Sequence, residues 1–358
     1  MENVFIIAIN PGSTSTKIAV FQNTNPVYVK TLRHSAEELA GFDKISDQFQ
    51  FRKQIIAKAL SDVEFSAKDV KAIVGRGGLL KPIESGVYQV TEAMKSDLLN
   101  APFGEHASNL GGLIAADLVK DFPNAKAYIA DPVVVDELDE IARFSGHPAI
   151  ERRSIFHALN QKAVARSHAK SIMRKYEEMN LIVVHLGGGI SVGAHSKGRV
   201  IDVNQALDGD GPFSPERSGS LPMGDFARIC FAGKHNLKHV LKMIKGDGGM
   251  VAYLGTNNAY EVEQMVAAGD AKAHIVFEAM AYQVSKEIGA MAAVLKYSVD
   301  GILITGGIAH SKWFVNMIIE RVHRIAPTHV YPGEDEMKAL ALNGLSVVKG
   351  ETVPQKYV

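Results

Sequence analysis

Val4-Phe-Ile-Ile-Ala-Ile-Asn-Pro-Gly-Ser-Thr-Ser-Thr-Lys-Ile-Ala-Val-Phe21 is the stretch that decides the fold. Val4 to Ile9 is short, rich in β-branched residues and bounded by Asn10-Pro11-Gly12, which is the pattern of a buried strand. Lys17 to Phe21 is a second apolar run after a small polar turn, so the spacing predicts strand, turn, strand. Glycine lets backbone N–H groups approach phosphate oxygens closely, and Ser13, Ser15 and Lys17 add donors beside the turn. The segment therefore reads as a polyphosphate loop that leads into a strand and not into a helix.

Outward from this hairpin, Val27 to Leu32 continues as a third strand, and apolar residues at helical spacing from Ile45 to Leu60 predict an amphipathic helix. Strands are expected at Ala72–Val74 and Ala127–Ala130, with a helix from about Asn109 to Val119 between them. The pattern then restarts. Leu181 to Leu186 is a buried strand ending in Gly187, Gly188 and Gly189, and short strands at Ser191–Ala194 and Arg199–Val203 flank the Lys197-Gly198 turn. A largely apolar helix is expected from about Ala271 to Lys296, buried all round, before a strand at Gly301–Thr305 closed by Gly306 and Gly307. Two copies of one strand-turn-strand unit suggest an internal duplication. The alternative is the recurrence of strand-to-glycine turns in any α/β protein.

Composition fits this organisation. A chain of 358 residues exceeds what one core usually organises. Lys plus Arg equals Asp plus Glu at 39 each, so no global field points to nucleic acid or an anionic membrane. The single cysteine, Cys230, cannot form an internal disulfide and suits a reducing compartment. The N-terminal apolar stretch is too short for a signal peptide, and no run approaches a membrane span. A cytoplasmic protein is the expectation. No G-x-x-x-x-G-K-[ST], no G-x-G-x-x-G opening a helix and no H-R-D with a downstream D-F-G occurs. A phosphate loop between two strands points instead to the actin-like (ribonuclease H-like) ATPase architecture. The expected fold is α/β, with two duplicated domains and a nucleotide cleft between them. We place them roughly at 1–155, with a C-terminal helix over 336–358 packing back on it, and 156–335, carrying most of the nucleotide site.

Asn10-Pro-Gly-Ser-Thr-Ser-Thr-Lys17 resembles the first phosphate signature of the acetate and butyrate kinase family. His185-Leu-Gly-Gly-Gly-Ile-Ser191 resembles its second phosphate loop, and Arg152-Arg-Ser-Ile-Phe-His157, Pro215-Glu-Arg-Ser-Gly219 and Ile304-Thr-Gly-Gly-Ile308 match further elements in the family's order. The matches span essentially the whole chain. With His-Leu-Gly-Gly-Gly where acetate kinases usually have Asn in fourth place, the sequence looks closest to the butyrate kinases. That leaves Gly188 only a backbone role.

The resemblance implies transfer of the γ-phosphoryl group of ATP to a short-chain carboxylate, giving ADP and an acyl phosphate with Mg²⁺ as cofactor. It assigns Arg76 and Arg217 to the carboxylate and the phosphoryl group in flight, and His157 to the phosphoryl oxygens. Asn10, Gly12, Ser13, Ser15, Lys17, His185, Gly187, Gly188 and Gly189 fall to the phosphates, and Gly306 and Gly307 to the adenosine side. Mg²⁺ is expected at Asn10, Asp131 and Glu336, with Asp131 alternatively orienting the substrate. His106 and Phe156 are expected to line the acyl pocket. Gly77 and Gly78 stand where acetate kinases carry valines, which predicts room for extra methylenes at Gly78 unless Leu79 refills it. Homo-oligomerisation is implied by the family. Rivals are an acetate or propionate kinase, a sugar kinase using Asp131 as base, and a chaperone-like ATPase. His235 and His239 could share a metal on one helix face, but with no third ligand they read as a solvated pair.

Overall fold

The computed structural model describes residues 3–358, which divide into two compact units: residues 3–135 with 335–358, and residues 136–334. In the first unit, β1 (Phe5–Pro11), β2 (Ser15–Gln22) and β3 (Asn25–Arg33) form an antiparallel meander. Next come β4 (Val70–Arg76), β5 (Val87–Gln89) and β6 (Lys126–Ala130), with β4 parallel to β1 and β6 parallel to β4. The sheet order is β5-β6-β4-β1-β2-β3, and Gln355–Lys356 pairs outside β5. Ile6, Ile7, Ala8 and Ile9 are wholly buried, as a central strand covered on both faces requires. β3 is an exposed edge, and Lys30 and Arg33 on it discourage pairing with another chain.

The second unit repeats the plan. β7 (Asn180–Leu186), β8 (Ile190–Ser196) and β9 (Arg199–Val203) form the meander, and β10 (Gly301–Gly306) and β11 (Thr328–Pro332) add on in parallel. The order β11-β10-β7-β8-β9 is the first sheet's β6-β4-β1-β2-β3 with each strand replaced by its counterpart. Both units are therefore actin-like, and the two phosphate-loop candidates occupy equivalent hairpins.

Three expectations change. The division falls at residue 135 and not near 155, because 136–155 bonds into the second unit: Asp139 N–H donates to Ile201 O, and Arg152 reaches Val203 O and Asp202. The predicted Ile45–Leu60 helix begins as a 3₁₀ turn (Ile45–Gln48) before the α-helix Phe49–Ser61. The long helix, Ala271–Val294, buries one face only, with Ile275 60% and Tyr282 48% exposed. The segment 335–358 belongs with the first unit. Its helix Glu336–Val348 lies against β1 and β4, and Gly344 admits Val74 and Ile6 into the contact.

Candidate active site

In the first unit the functional side chains gather at the carboxyl ends of the adjacent parallel strands β1 and β4. Asn10 faces Lys17 across the β1–β2 pair, so both project from one side of the sheet. Arg76 ends β4 and donates to Asn10 Oδ1 at 3.4 Å and to Glu336 Oε2 at 3.2 Å. Asn10 Nδ2 donates to the same carboxylate oxygen, which fixes the orientation of the amide. Glu336 stands in the first turn of its helix, after the Asp335 cap. Arg76 is aimed by an unusually close strand–helix contact. Gly75 and Gly111 meet backbone to backbone, so the Asn109–Leu118 helix sits directly on β4.

The β1–β2 turn presents Gly12, Ser13 and Ser15 beside this cluster. Gly12 N–H donates to Ser15 O at 2.7 Å, and Ser13 and Thr14 stand exposed at the tip. Lys17 is exposed. A single carboxylate with a carboxamide oxygen suits Mg²⁺, which takes its other ligands from phosphate and water. Among the described residues no group of three or more His, Cys, Asp or Glu is placed to hold a metal without such help.

In the second unit the β7–β8 turn carries Gly187, Gly188 and Gly189, with Gly187 N–H donating to Gly189 O at 3.1 Å. The Arg217 guanidinium lies on the face of Gly189, where a Cβ would overlap it, and donates to Ala206 O. Burial holds the Arg217 pKa below that of a free guanidinium. Ser214 donates to Gly188 O at 2.6 Å and tethers the loop from the other side. His157 caps the start of the Ala158–Ser171 helix and stacks on His185, with ring centres 3.8 Å apart and planes 13° from parallel. His185 is buried between Asn160 Oδ1, at 2.8 Å from Nδ1, and Glu334 Oε1, at 3.0 Å from Nε2. Gly306 has φ 94°, and only glycine can pass so close to the Leu186 backbone. Gly307 opens the following 3₁₀ turn with nothing near its missing Cβ.

A buried relay orients His157. Gln161 donates through Nε2 to Ser191 O at 3.1 Å and to Ser191 Oγ at 2.8 Å, so its Oε1 must accept from His195 Nε2–H at 2.9 Å. Burial, with Lys162 and Arg166 nearby, pushes the His195 pKa well below 6.5 and keeps the ring neutral. His195 Nδ1 then accepts from the Tyr176 hydroxyl at 2.7 Å, and Ser191 Oγ meets His157 Nδ1 at 2.9 Å.

The other expected site residues take the following positions. Asp131 is 1% exposed; its Oδ1 accepts from Ser85 Oγ at 2.6 Å and Gly86 N–H at 2.9 Å. Its backbone is left-handed, with φ 38°, ahead of Pro132, and that carboxylate oxygen faces the Ser85–Gly86 turn. Gly78 offers no acyl space, because its Cβ would lie 2.5 Å from the Cα of Asn109. That glycine serves close packing, as does Gly77 against Pro132. His106 is exposed, with Nδ1 accepting from Ser108 N–H at 3.2 Å, and Phe156 is a buried core ring at 2% exposure. The sequence reading missed Arg52, Gln161, Ser191, Ser214 and Glu334. A polar residue inside a helix or beside a glycine loop carries no local mark of its burial. Ser191 closes the quoted His185–Ser191 loop, and Glu334 stands two residues before Glu336.

Comparison with known proteins places this geometry. The profile of the Acetokinase family matches residues 147–329. Butyrate kinase 2 of Clostridium acetobutylicum is 55% identical over 352 residues, covering 98% of this chain and 99% of that protein. Butyrate kinase 1 of the same organism is 53% identical over the same span. Among solved structures, Porphyromonas gingivalis acetate kinase superposes with a TM-score of 0.78 at 17% identity, covering 96% of this chain and 100% of that one. A propionate kinase from Francisella tularensis gives 0.71 at 18%, with coverages of 95% and 98%.

Proposed function

The chain belongs to the acetokinase family and is an ATP-dependent carboxylate kinase, and from that premise we propose that its acceptor is butyrate or a branched C4–C5 acid. Support for the acceptor comes from the two relatives named butyrate kinase, similar over nearly their whole length. It does not come from Gly78.

The observation that carries the chemistry is the Asn10–Arg76–Glu336 cluster, with Lys17 beside it. A carboxylic acid is already ionised at neutral pH and needs no strong base. The barrier is the approach of one anion to another, which fixed cations and donors lower. Arg76 is the group in the first unit suited to hold the incoming carboxylate. In the second unit, Arg217 and His157 are suited to the phosphoryl oxygens, and Gly187 to Gly189 to the polyphosphate through their backbone. Gly306 and Gly307 are assigned to the adenosine side. Glu336 and Asn10 would hold Mg²⁺, which neutralises charge on the phosphate oxygens when bound. The acyl phosphate product is itself energy-rich, so transfer is expected to run in both directions. We further propose a homo-oligomer, as the family implies, and a cytoplasmic location, in keeping with the single thiol. Among the described residues no helix is long and apolar enough to cross a membrane.

The test is acyl phosphate formation with ATP and Mg²⁺, trapped as hydroxamate, over acetate, propionate, butyrate and isobutyrate. The expected kcat/KM peaks at four carbons. A peak at acetate or propionate overturns the acceptor, and phosphorylation of a hexose without any acid activity overturns the proposal.

A further inference from the structure

Behind the β1–β2 turn lies a charge that the chemistry above does not use. Arg52, on the Phe49–Ser61 helix, is a fully buried arginine at 0% exposure. Its Nη1 donates to Gly12 O at 2.7 Å, Ser15 O at 3.1 Å and Thr16 Oγ1 at 3.1 Å, and its Nη2 to Ser13 O at 2.9 Å. Gln48, one helical turn earlier, aims the guanidinium by accepting from Nε at 3.0 Å and Nη2 at 2.8 Å. All of these partners are neutral, so the cation is buried with no carboxylate in its hydrogen-bonding shell. A buried charge without a counter-ion is expensive, and sequences rarely keep one without a return elsewhere.

Peptide geometry shows the return. The described chain has no cis bonds, and a trans peptide points its C=O and N–H to opposite sides. Drawing the Gly12 and Ser13 carbonyls inward to Arg52 therefore turns the N–H groups of Ser13 and Thr14 outward. Among the described residues neither N–H donates to another group of the chain, and both residues are exposed. The turn thus offers two adjacent outward donors over a buried positive charge, an arrangement that matches a phosphate group.

We propose that Arg52 is a positioning residue of the nucleotide site. It sets the Gly12–Thr16 turn in its anion-binding form, and the nucleotide phosphate supplies the missing counter-charge. The inference rests on reading that turn as a phosphate loop. The assignment differs from those of Lys17 and Arg76, whose own side chains are assigned to the phosphates and the carboxylate, because Arg52 touches no substrate and acts through the backbone.

Arg52→Lys keeps the charge but cannot reach four acceptors in different directions. The expected result is a folded enzyme whose ADP dissociation constant and ATP KM rise about tenfold or more, while the carboxylate KM changes by less than about twofold. In Arg52→Ala, millimolar guanidinium ion is expected to restore part of the nucleotide affinity. If Arg52→Lys does not fold, Gln48→Met is read in its place, since it releases the guanidinium without removing it. Wild-type ADP affinity in a folded variant, or equal rises in both KM values, overturns the proposal. A folded enzyme that keeps Arg52 and binds ADP unchanged after Ser13→Pro and Thr14→Pro, which remove both outward donors, overturns instead the reading of the turn as a phosphate loop.

Discussion

Glycine 78 shows how one residue can be noticed for the wrong reason. Its lack of a side chain was legible as room for substrate, but the room is already filled by the Asn109 backbone. Gly78→Val is therefore expected to lower stability by about 1–3 kcal/mol or more through overpacking. The ratio of butyrate to acetate activity in the surviving folded enzyme should stay unchanged. Thermal unfolding and the acid series check the two halves of that statement. For Asp131 the sequence shows an acid after a strand, and only its left-handed backbone and the Ser85–Gly86 turn reveal what one of its carboxylate oxygens accepts from. Arg76, Asn10 and Glu336 were named through the family resemblance, and the structure brings these three together. Arg52 was not, since an arginine in an amphipathic helix normally faces water.

Elements were legible where burial imposed a pattern. The strands before glycine turns, β1, β4, β7 and β10, were all anticipated to within two or three residues. Of the helices between 223 and 267 only the face carrying His235 and His239 was anticipated, and Met223–Phe231, though amphipathic in sequence, buries no residue. Helix Ala271–Val294 carries a different signal. Glu287, half-buried on it, has its pKa raised to about 7 by burial first and then by the charge of Asp210, with Arg152 opposing. A carboxyl raised in the folded state is ionised at a cost once pH exceeds its unfolded value near 4.5, and the cost is complete above about 7. Glu287→Gln is accordingly expected to raise the melting temperature at pH 8 and leave it nearly unchanged at pH 4.5. His195 works in the opposite sense. Its depressed pKa means that stability is full above 6.5 and is lost as pH falls below that value. Unfolding curves of both parents and variants at the two pH values separate the contributions.

At the scale of the molecule, the duplication is visible in sheet order and in the equivalence of the two hairpins. The boundary at residue 135 was illegible because no change of composition marks it; hydrogen bonds from 136–155 to β9 decide it. One expected outcome belongs here. Ending the chain at Glu334 removes Glu336 and the helix that covers Ile6 and Val74. Acyl phosphate formation should disappear and a hydrophobic dye should bind, whereas circular dichroism should retain the signal of the second unit. The split composition of the first unit also has a meaning in time. Residues 136–334 are contiguous, and at roughly 5–20 residues per second they take about 10–40 s to make. Throughout that interval the nascent first unit holds Asn10 and Arg76 without the acid that joins them. The ribosome thus delivers the second unit whole before the first can close, and Glu336, made just after it, completes the cluster.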